Sequence, residues 1–289
     1  MAKEKYVYFI VAFWDSGKHK MKRFLIALQF LTIIPINVSG DISEDDIAGS
    51  SIFFPLVGAF QGMIIMLSAL LLIKVFSAEV VSVLIILILI ITNKGLHLDG
   101  LADTFDALGI APTGNTASDI EKRLSAMKDS RIGSIGATGI VFTILIKFVL
   151  LNALFLTGPW GTVYLLLFMM PVLSKWAMVP ALYHGTSARQ DGIGRIFIEH
   201  ATVARLIAST ALATGLAGAA LYTYAILYHS LPNRLILFCV LFLVLYGFSV
   251  SSVRFSKKRF GGITGDTLGA ISELSEVVFL FVAVVWLSR

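Results

Sequence analysis

Long apolar stretches recur along almost the whole chain, and they constrain its fold more than any other feature. Crossing the hydrocarbon core of a membrane takes about 20 apolar residues in a helix. Stretches that approach this length lie near 50–73, 78–93, 134–157, 161–183, 204–228, 235–252 and 268–287. Of the 289 residues, 57% are hydrophobic and only 14% are charged, which excludes a soluble globular domain. The sequence therefore predicts an all-α, polytopic membrane bundle with about seven transmembrane helices.

The basic residues lie on alternate connections between these stretches. Of the 23 lysines and arginines, 18 fall in the segments 1–23, 93–131, 185–205 and 254–259. Because loops rich in lysine and arginine stay in the cytoplasm, we expect these segments and the amino terminus on the cytoplasmic side. The same rule accounts for the net charge of +5, so no nucleic-acid partner is expected.

Two shorter apolar stretches precede the first long one. The stretch 24–36 contains a proline near its end, and its length predicts a short interfacial or re-entrant helix. The stretch 6–14 is too short to span and lacks a small-residue cleavage site, so a cleaved signal peptide is not expected. We predict a single membrane domain over 21–289, preceded by an extension, 1–20, to which no function is assigned.

The segment 93–109 carries three aspartates directly after the second long stretch. In a helix, Asp99, Asp103 and Asp106 fall at i, i+4 and i+7 and share one face. Ionised carboxylates at a membrane boundary need a partner, and ligands made only of oxygen favour Mg²⁺ over a softer metal. The triplet therefore predicts a Mg²⁺ site, and the alternative is a solvated face paired with nearby cations. Neighbouring His97 is a candidate general base, phosphate donor or capping side chain.

A second polar segment, 123–137, leads into the third long stretch. Lys128 and Arg131 are suited to an anionic group, and a helix that starts here presents backbone N–H groups to the same anion. Asp129 is a candidate substrate contact or simply the salt-bridge partner of these cations. In the alternative interpretation, the two cations only keep this loop on the cytoplasmic side, and the neighbouring glycines only allow close helix packing.

A third polar segment, 259–276, opens the last long stretch. Its acidic residues Asp266, Glu273 and Glu276 fall on one helical stripe. Carboxylates one to two turns inside an apolar helix are costly unless they are paired, which makes them candidate binding residues. The alternative for the two glutamates is pairing with buried Lys147 or Lys175.

Glycine-rich loops accompany the remaining candidates for substrate binding. Thr264 lies among glycines just before the last long stretch, where a helix amino terminus favours a phosphate. Arg189 and Arg195 lie in the loop 189–195 and offer two guanidiniums suited to phosphate or amide oxygens.

The predicted site combines carboxylates that suit a hard cation with basic residues that suit a phosphate. This combination favours a phosphoryl-type transfer reaction at the membrane surface. CDP-alcohol phosphotransferases and intramembrane prenyltransferases place aspartates and Mg²⁺ in the same way. A cation-coupled transporter would instead use the acidic residues as an ion site. No inverted repeat is visible in the sequence, and the polar motifs gather on one side rather than at the midplane, which disfavours a transporter.

The motifs in these segments resemble the adenosylcobinamide-GDP ribazoletransferases, a family also called cobalamin synthases. The matching motifs, in the family's order, are LQFLTIIP (28–35), GLHLDGLADTFD (95–106), MKDSRIGSIG (127–136), ARQDGIG (188–194) and GGITGDTLGA (261–270). Residues 1–20 resemble nothing in the family. Phe105 stands where a smaller residue is expected, and we expect it to narrow the nucleotide site.

The resemblance implies a cobalamin (vitamin B12) biosynthesis enzyme in the cytoplasmic (inner) membrane of a bacterium or archaeon. It implies Mg²⁺-dependent transfer from adenosylcobinamide-GDP to α-ribazole or its 5′-phosphate, with release of GMP. The implied metal ligands are Asp99, Asp103, Asp106 and Asp266. Asp103 or His97 is then the base, and Lys128 and Arg131 bind phosphate oxygens. The acceptor, a homo-oligomeric state and association with other cobalamin-assembly enzymes are left open.

Overall fold

The computed structural model describes residues 19–129, 131–228 and 232–288, and helices form most of these residues. Within those ranges there is no strand, and one isolated bridge joins Ser187 to Ile263. The all-α class predicted from the apolar stretches is confirmed. The predicted extension 1–20 lies outside the described residues except for its last two positions.

The helices are numbered in chain order. The shorter ones are α1 (19–31), α2 (Glu44–Gly49), α5 (Leu96–Leu108), α6 (Thr116–Ala126) and α9 (Ile193–Glu199). The longer ones are α3 (Phe54–Leu72), α4 (Ala78–Thr92), α7 (Ser134–Thr157), α8 (Trp160–His184), α10 (Val203–Tyr228), α11 (Pro232–Phe260) and α12 (Gly265–Leu287). A short 3₁₀ turn, Ser50–Phe53, joins α2 to α3.

The longer helices match the predicted transmembrane stretches. Six helices, the first of them running from Glu44 through α3, are long and apolar enough to cross a membrane. The pair α4 and α5 is a seventh candidate, and its two halves meet at 90°. We count α4 as the crossing part of this pair, since α5 leaves its direction at a right angle. The chain is therefore a multi-pass membrane protein, as predicted.

Three residues build the sharp turn between α4 and α5. Lys94 and Gly95 have φ values of 57° and 69°, the left-handed region that favours glycine. The side chain of Asn93 stabilises the turn, because its Oδ1 accepts a hydrogen bond from the Gly95 N–H at 3.1 Å. Beyond the turn, α5 packs against α12, α7 and α6. The aspartate-bearing helix is thereby held against the start of two membrane helices.

Helix α8 lies at the centre of the bundle. It packs against α3, α10, α11 and α12, and most of its residues are buried. A helix that is apolar on all sides is suited to this central position. The loop that follows α8 is consequently anchored by the most buried helix of the bundle.

The motif-bearing segments meet at one end of the bundle, as the alternation of basic residues predicts. There, Asp106 contacts the start of α7, and Arg189 pairs with Asp266 at the start of α12. At the opposite end, Thr162 of α8 contacts the hydroxyl of Tyr224 at 3.0 Å and Arg234 at 3.3 Å. The helix ends at the connections that are poor in basic residues, from α7 to α8 and from α10 to α11, therefore lie away from the polar motifs.

Two predicted boundaries differ from the structure. The stretch 24–36 is helical only to residue 31, because Pro35 disfavours helical backbone at the residue before it. Helix α11 continues beyond the predicted end at 252 to Phe260. The last turns of α11 are polar. They are helical, but the apolar pattern that predicted the span ends before them.

Candidate active site

The three aspartates of α5 lie at the polar end of the bundle, close to a fourth carboxylate from α12. Burial first, and then the nearby charges of Asp266, Asp99 and Asp106, together raise the pKa of Asp103 to about 7. Burial and nearby like charges both disfavour the ionised form of a carboxyl. The four carboxylates therefore form one electrostatic cluster, which we call the carboxylate cluster.

Asp106 is bound by main-chain groups at the start of α7. Its Oδ2 accepts a hydrogen bond from the Gly133 N–H at 2.7 Å, and its Oδ1 accepts one from the Gly136 N–H at 2.7 Å. A Cβ atom at either glycine would collide with this carboxylate. The anion at this helix start is thus the protein's own Asp106, where the sequence predicted a substrate group. Each carboxylate oxygen retains a lone pair for a further contact.

Arg189 lies beside Asp266 with part of its hydrogen-bonding capacity unused. Its Nη2 is 2.9 Å from Asp266 Oδ2, and its side chain is only 19% exposed. Neither Nη2 nor Nε makes a well-aligned hydrogen bond with any described residue. The two side chains therefore form an ion pair that leaves guanidinium donors available to an anion.

Main-chain hydrogen bonds fix the position of Arg189 relative to α12. The Ile263 N–H donates to the Thr186 carbonyl at 2.8 Å, and the Ala188 N–H donates to the Ile263 carbonyl at 3.0 Å. These bonds join the loop after α8 to the segment before α12. Two of the sequence motifs are thereby held side by side.

Thr264, a predicted substrate contact, is the N-cap of α12. Its Oγ1 accepts a hydrogen bond from the Thr267 N–H at 3.2 Å, and Thr267 Oγ1 accepts one from the Thr264 N–H at 2.7 Å. Such a reciprocal cap satisfies backbone donors that have no partner inside the helix. Thr264 thus has a structural role in fixing the start of α12, and with it Asp266.

Two cavities meet at the carboxylate cluster. The smaller has a volume of about 240 Å³, and its polar lining includes His97, Asp99, Arg189, Arg195 and Asp266. The larger has a volume of about 930 Å³ and lies between α1, the segment 32–37, the start of α5 and α9. Most of its lining residues are apolar. The two cavities share Phe30, Leu96, Asp99 and Ile193.

Arg131 and Asp129 pair with each other at the protein surface. The Nε and Nη2 atoms of Arg131 donate to the two oxygens of Asp129 at 3.0 and 2.7 Å. These bonds lower the pKa of Asp129 to about 2, and the Arg131 side chain is 86% exposed. The predicted salt bridge is present, and neither residue lines the two cavities described above.

Lys128 and Arg195 both contact the loop after α8. The Nζ atom of Lys128 lies 3.2 Å from Asp191 Oδ2. Arg195 donates to Glu199 Oε2 at 2.8 Å and to the Gln190 carbonyl at 2.6 Å. Arg195 lines the smaller cavity. Lys128 does not line it, but it contacts Asp191, which does.

Glu273 and Glu276 form an internal ion-pair cluster with two lysines. Lys147 Nζ contacts both glutamates and lies 2.6 Å from Glu276 Oε2. Lys175 Nζ lies 3.7 Å from Glu276 Oε1. All four side chains are at most 4% exposed. The structure thus shows the pairing that the sequence left open as the alternative to substrate binding.

His97 lies between this ion-pair cluster and the smaller cavity, and is 1% exposed. Its Nδ1 is 3.2 Å from Lys175 Nζ and 3.5 Å from Asn93 Nδ2. Its Nε2 is buried and has no hydrogen-bond partner among the described residues. Sequence reasoning missed Asn93 and missed the link from Lys175 to His97. A lysine inside an apolar helix was the signal that pointed to Lys175.

Phe105 does not narrow either cavity. The structure places its ring against α7, where a Cβ atom on Gly139 would lie 2.7 Å from the ring. The residue is absent from the linings of both cavities described above. The expected narrowing is therefore not found at these cavities, because the side chain fills the space left by a glycine on the neighbouring helix.

Comparison with known proteins adds a second line of information. The model for the family described as Cobalamin-5-phosphate synthase matches residues 23–284. A protein from Thermodesulfovibrio yellowstonii named Adenosylcobinamide-GDP ribazoletransferase is 34% identical, with 90% of this chain and 95% of that protein covered. A protein of the same name from Fusobacterium nucleatum is 34% identical, with 92% and 98% covered. No solved structure matches the chain.

The chain belongs to the cobalamin-5-phosphate synthase family. It is accordingly an enzyme, a transferase of cobalamin biosynthesis, and the family predicted from the motifs is confirmed. In this member of the cobalamin-5-phosphate synthase family, the motifs 95–106, 127–136, 188–194 and 261–270 all lie at the carboxylate cluster or its rim. The motif 28–35 lines the larger cavity.

The carboxylate cluster offers oxygen ligands, but its side chains alone do not surround a metal ion. Among the described residues, no three side chains of His, Cys, Asp or Glu converge closely enough to hold a metal ion. Mg²⁺ usually binds through one or two carboxylates together with water and substrate phosphates. Asp99 and Asp266, which line the smaller cavity, fit such a site completed by a phosphate ligand.

Proposed function

We propose that this chain transfers the adenosylcobinamide phosphate of adenosylcobinamide-GDP to α-ribazole or its 5′-phosphate. The products are adenosylcobalamin, or its 5′-phosphate, and GMP. The names of the relatives supply the donor substrate and the type of reaction. The observation that supports it most in this chain is the carboxylate cluster beside Arg189, whose guanidinium has unused donors.

The donor substrate occupies both cavities in this proposal. Its diphosphate lies in the smaller one, where Arg189 donates to phosphate oxygens and the start of α12 adds its positive dipole end. The larger cavity, with its volume of about 930 Å³ and mostly apolar lining, takes the bulky cobinamide ring system. Because the cavities join at Asp99, one extended molecule can span them.

The four carboxylates take three different roles, and that of Asp103 belongs to the displacement step. Asp99 and Asp266 hold Mg²⁺, while Asp106 remains attached to the start of α7 and keeps α5 in place. When bound, the metal supplies Lewis-acid stabilisation of the charge that develops on the leaving GMP. After burial, the charges of the neighbouring carboxylates also raise the pKa of Asp103, and a divalent cation would compensate those charges.

The reaction is a displacement at phosphorus. A ribose hydroxyl oxygen of the acceptor forms a bond to the phosphorus attached to cobinamide, and the bond from that phosphorus to the GMP oxygen breaks. The hydroxyl proton passes to the carboxylate of Asp103, whose pKa of about 7 suits a general base. Arg189 holds phosphate oxygens throughout and thereby orients the diphosphate for attack in line.

The reaction is tested with purified protein in detergent or nanodiscs. Adenosylcobinamide-GDP and either acceptor, with Mg²⁺, should give GMP and the cobalamin product in equal amounts, and EDTA should abolish both. CDP-alcohols and prenyl diphosphates serve as alternative donors and should not be consumed. Consumption of one of them, or cation uptake by proteoliposomes with no product, would reject the ribazoletransferase reaction.

Variants of the carboxylate cluster test the assigned roles. Asp99→Asn, Asp103→Asn and Asp266→Asn each keep the shape of the side chain but remove a charge, so we expect lost transfer with normal membrane insertion. Glu121→Gln is the matched control, because Glu121 is exposed on α6. Full activity in any two of the three aspartate variants would refute these roles.

We place the site on the cytoplasmic side of a bacterial or archaeal inner membrane, because the motif loops and the amino-terminal segment 1–23 carry 18 of the 23 basic residues. Single cysteines at positions 115, 190 and 258, in a Cys239→Ala background, should react with an impermeant reagent only from that side. Val75→Cys, in the connection between α3 and α4, should react from the other side. Labelling of 115 and 190 from opposite sides would overturn this topology.

A further inference from the structure

We propose that Lys175 and Asn93 hold His97 in the tautomer that carries its proton on Nε2, so that His97 donates a hydrogen bond to a substrate oxygen. This inference rests on the proposed function, because it assigns a role to His97 in the same cavity. It distinguishes between the roles that the sequence left open for this residue. In this role His97 is a donor to the phosphate-bearing ligand and not the general base.

The first observation is the contact between Lys175 and the imidazole ring. The Nζ atom of Lys175 lies 3.2 Å from His97 Nδ1. An ammonium group has three donors and no acceptor. Nδ1 must therefore present its lone pair to Lys175, which leaves the ring proton on Nε2.

A second donor faces the same ring nitrogen. Asn93 Nδ2 is 3.5 Å from His97 Nδ1. The orientation of this amide is set by its other end, because Asn93 Oδ1 accepts a hydrogen bond from the Gly95 N–H at 3.1 Å. The amide nitrogen consequently points to the histidine, and an amide nitrogen only donates. Both neighbours of Nδ1 thus require the same tautomer.

The charge balance of the ion-pair cluster supports an ionised Lys175. The cluster contains the cations Lys147 and Lys175 and the anions Glu273 and Glu276, all buried. Loss of the proton from Lys175 would leave one buried negative charge without compensation, which is strongly unfavourable. Lys175 also donates to Ser272 Oγ at 3.0 Å. The ammonium is therefore held in position on the α12 side as well as at His97.

The contacts described above fix one side of the His97 ring, and its Nε2 atom lies on the other side. It is buried and has no partner among the described residues, although buried polar atoms are rarely left unpaired. His97 lines the smaller cavity together with Asp99 and Arg189. A phosphate ligand in that cavity brings the acceptor oxygen that this N–H lacks. Lys175 is then a positioning residue that acts through His97.

Three substitutions of His97 separate a donor from a base. The amide nitrogen of glutamine reaches the place of Nε2, whereas that of asparagine reaches only the place of Nδ1. We expect the rate of transfer by His97→Gln to stay within about tenfold of the wild-type rate. The rates of His97→Asn and His97→Ala should be roughly ten- to a hundredfold lower than that of His97→Gln. His200→Ala is the surface control. Equal loss in all three His97 variants would contradict the donor role.

Nitrogen NMR of ¹⁵N-histidine-labelled protein in micelles observes the tautomer directly. The His97 signals are assigned by their absence in His97→Gln, and wild type should show the Nε2–H form. The paired change Lys175→Met with Glu276→Gln keeps the cluster neutral, and it should allow the Nδ1–H form to appear, because the remaining contact with Asn93 Nδ2, at 3.5 Å, is the weaker of the two. An Nδ1–H form in wild type would overturn the inference. Because this measurement needs no turnover, its failure is distinguishable from absence of the proposed reaction.

Discussion

The Nη2 atom of Arg189 lies 2.9 Å from Oδ2 of Asp266, although Arg189 lies in the loop after α8 and Asp266 in the first turn of α12. Hydrogen bonds of Ile263 with Thr186 and Ala188 keep the loop after α8 beside the segment before α12. The guanidinium is therefore held beside the carboxylate cluster while part of its hydrogen-bonding capacity is unused. This arrangement is suited to a diphosphate that brings its own negative charge together with a divalent cation.

Arg189→Lys should lower the rate of transfer roughly ten- to a hundredfold, because lysine keeps the charge but loses the planar pair of donors. Arg131→Lys is the matched comparison, since Arg131 is exposed and already pairs with Asp129. That variant should retain near wild-type activity. Initial rates at saturating Mg²⁺ measure both. The reverse order of the two losses would move the phosphate contact to Arg131.

Asp106→Asn should destabilise the protein by about 1–2 kcal/mol, because an amide has one acceptor oxygen for the two backbone N–H groups that the carboxylate now binds. Thermal unfolding in detergent gives the change in stability. Asp99→Asn is the control, since the Asp99 carboxylate makes no hydrogen bond with the residues that the structure describes and should leave stability unchanged. Equal stability of both variants would argue against the capping role of Asp106.

The raised pKa of Asp103 predicts a pH dependence of stability in the absence of Mg²⁺. Folding shifts this pKa from 3.8 to about 7, so the folded state binds the proton more tightly than the unfolded state. The resulting contribution to stability is complete below about pH 4 and is lost as the pH rises to about 7. Melting temperatures in EDTA should therefore fall between pH 5 and pH 7.5. Asp103→Asn should show a smaller fall, and an identical fall would contradict the assignment.

Lys147→Met should destabilise the protein by about 3–5 kcal/mol, because it leaves Glu273 and Glu276 with an uncompensated buried charge. Lys74→Met, in the exposed connection between α3 and α4, is the control and should have little effect. Size-exclusion chromatography after heating measures the folded fraction of each variant. If Lys147→Met survives heating as well as the control, the ion-pair cluster is not important for stability.

The apolar stretches predicted the membrane helices well because burial in lipid depends mainly on local composition. The predicted stretch 134–157 coincides with α7, and the stretch 78–93 differs from α4 by a single residue. The right angle after α4 was not predicted. The spacing of the three aspartates is typical of a helix but carries no information on the direction in which that helix runs.

The partners of the charged residues were harder to predict than their importance. Asp106 was identified from its helical spacing, yet its contacts with Gly133 and Gly136 depend on how α5 and α7 pack. Glu273 and Glu276 were identified as costly in an apolar helix, but the choice between a ligand and a lysine partner depends on the position of α7. Such contacts between distant segments leave no periodic pattern in the sequence.

The most direct test is a structure of the protein with Mn²⁺ in place of Mg²⁺ and an adenosylcobinamide-GDP analogue whose bridging diphosphate oxygen is replaced by a methylene group. The metal is then located by its anomalous signal. The proposed site predicts metal between Asp99 and Asp266, with the diphosphate in contact with Arg189 and the ring system in the larger cavity. Metal and diphosphate bound at Lys128 and Arg131, without contact to Asp99, Asp266 or Arg189, would contradict the central claim.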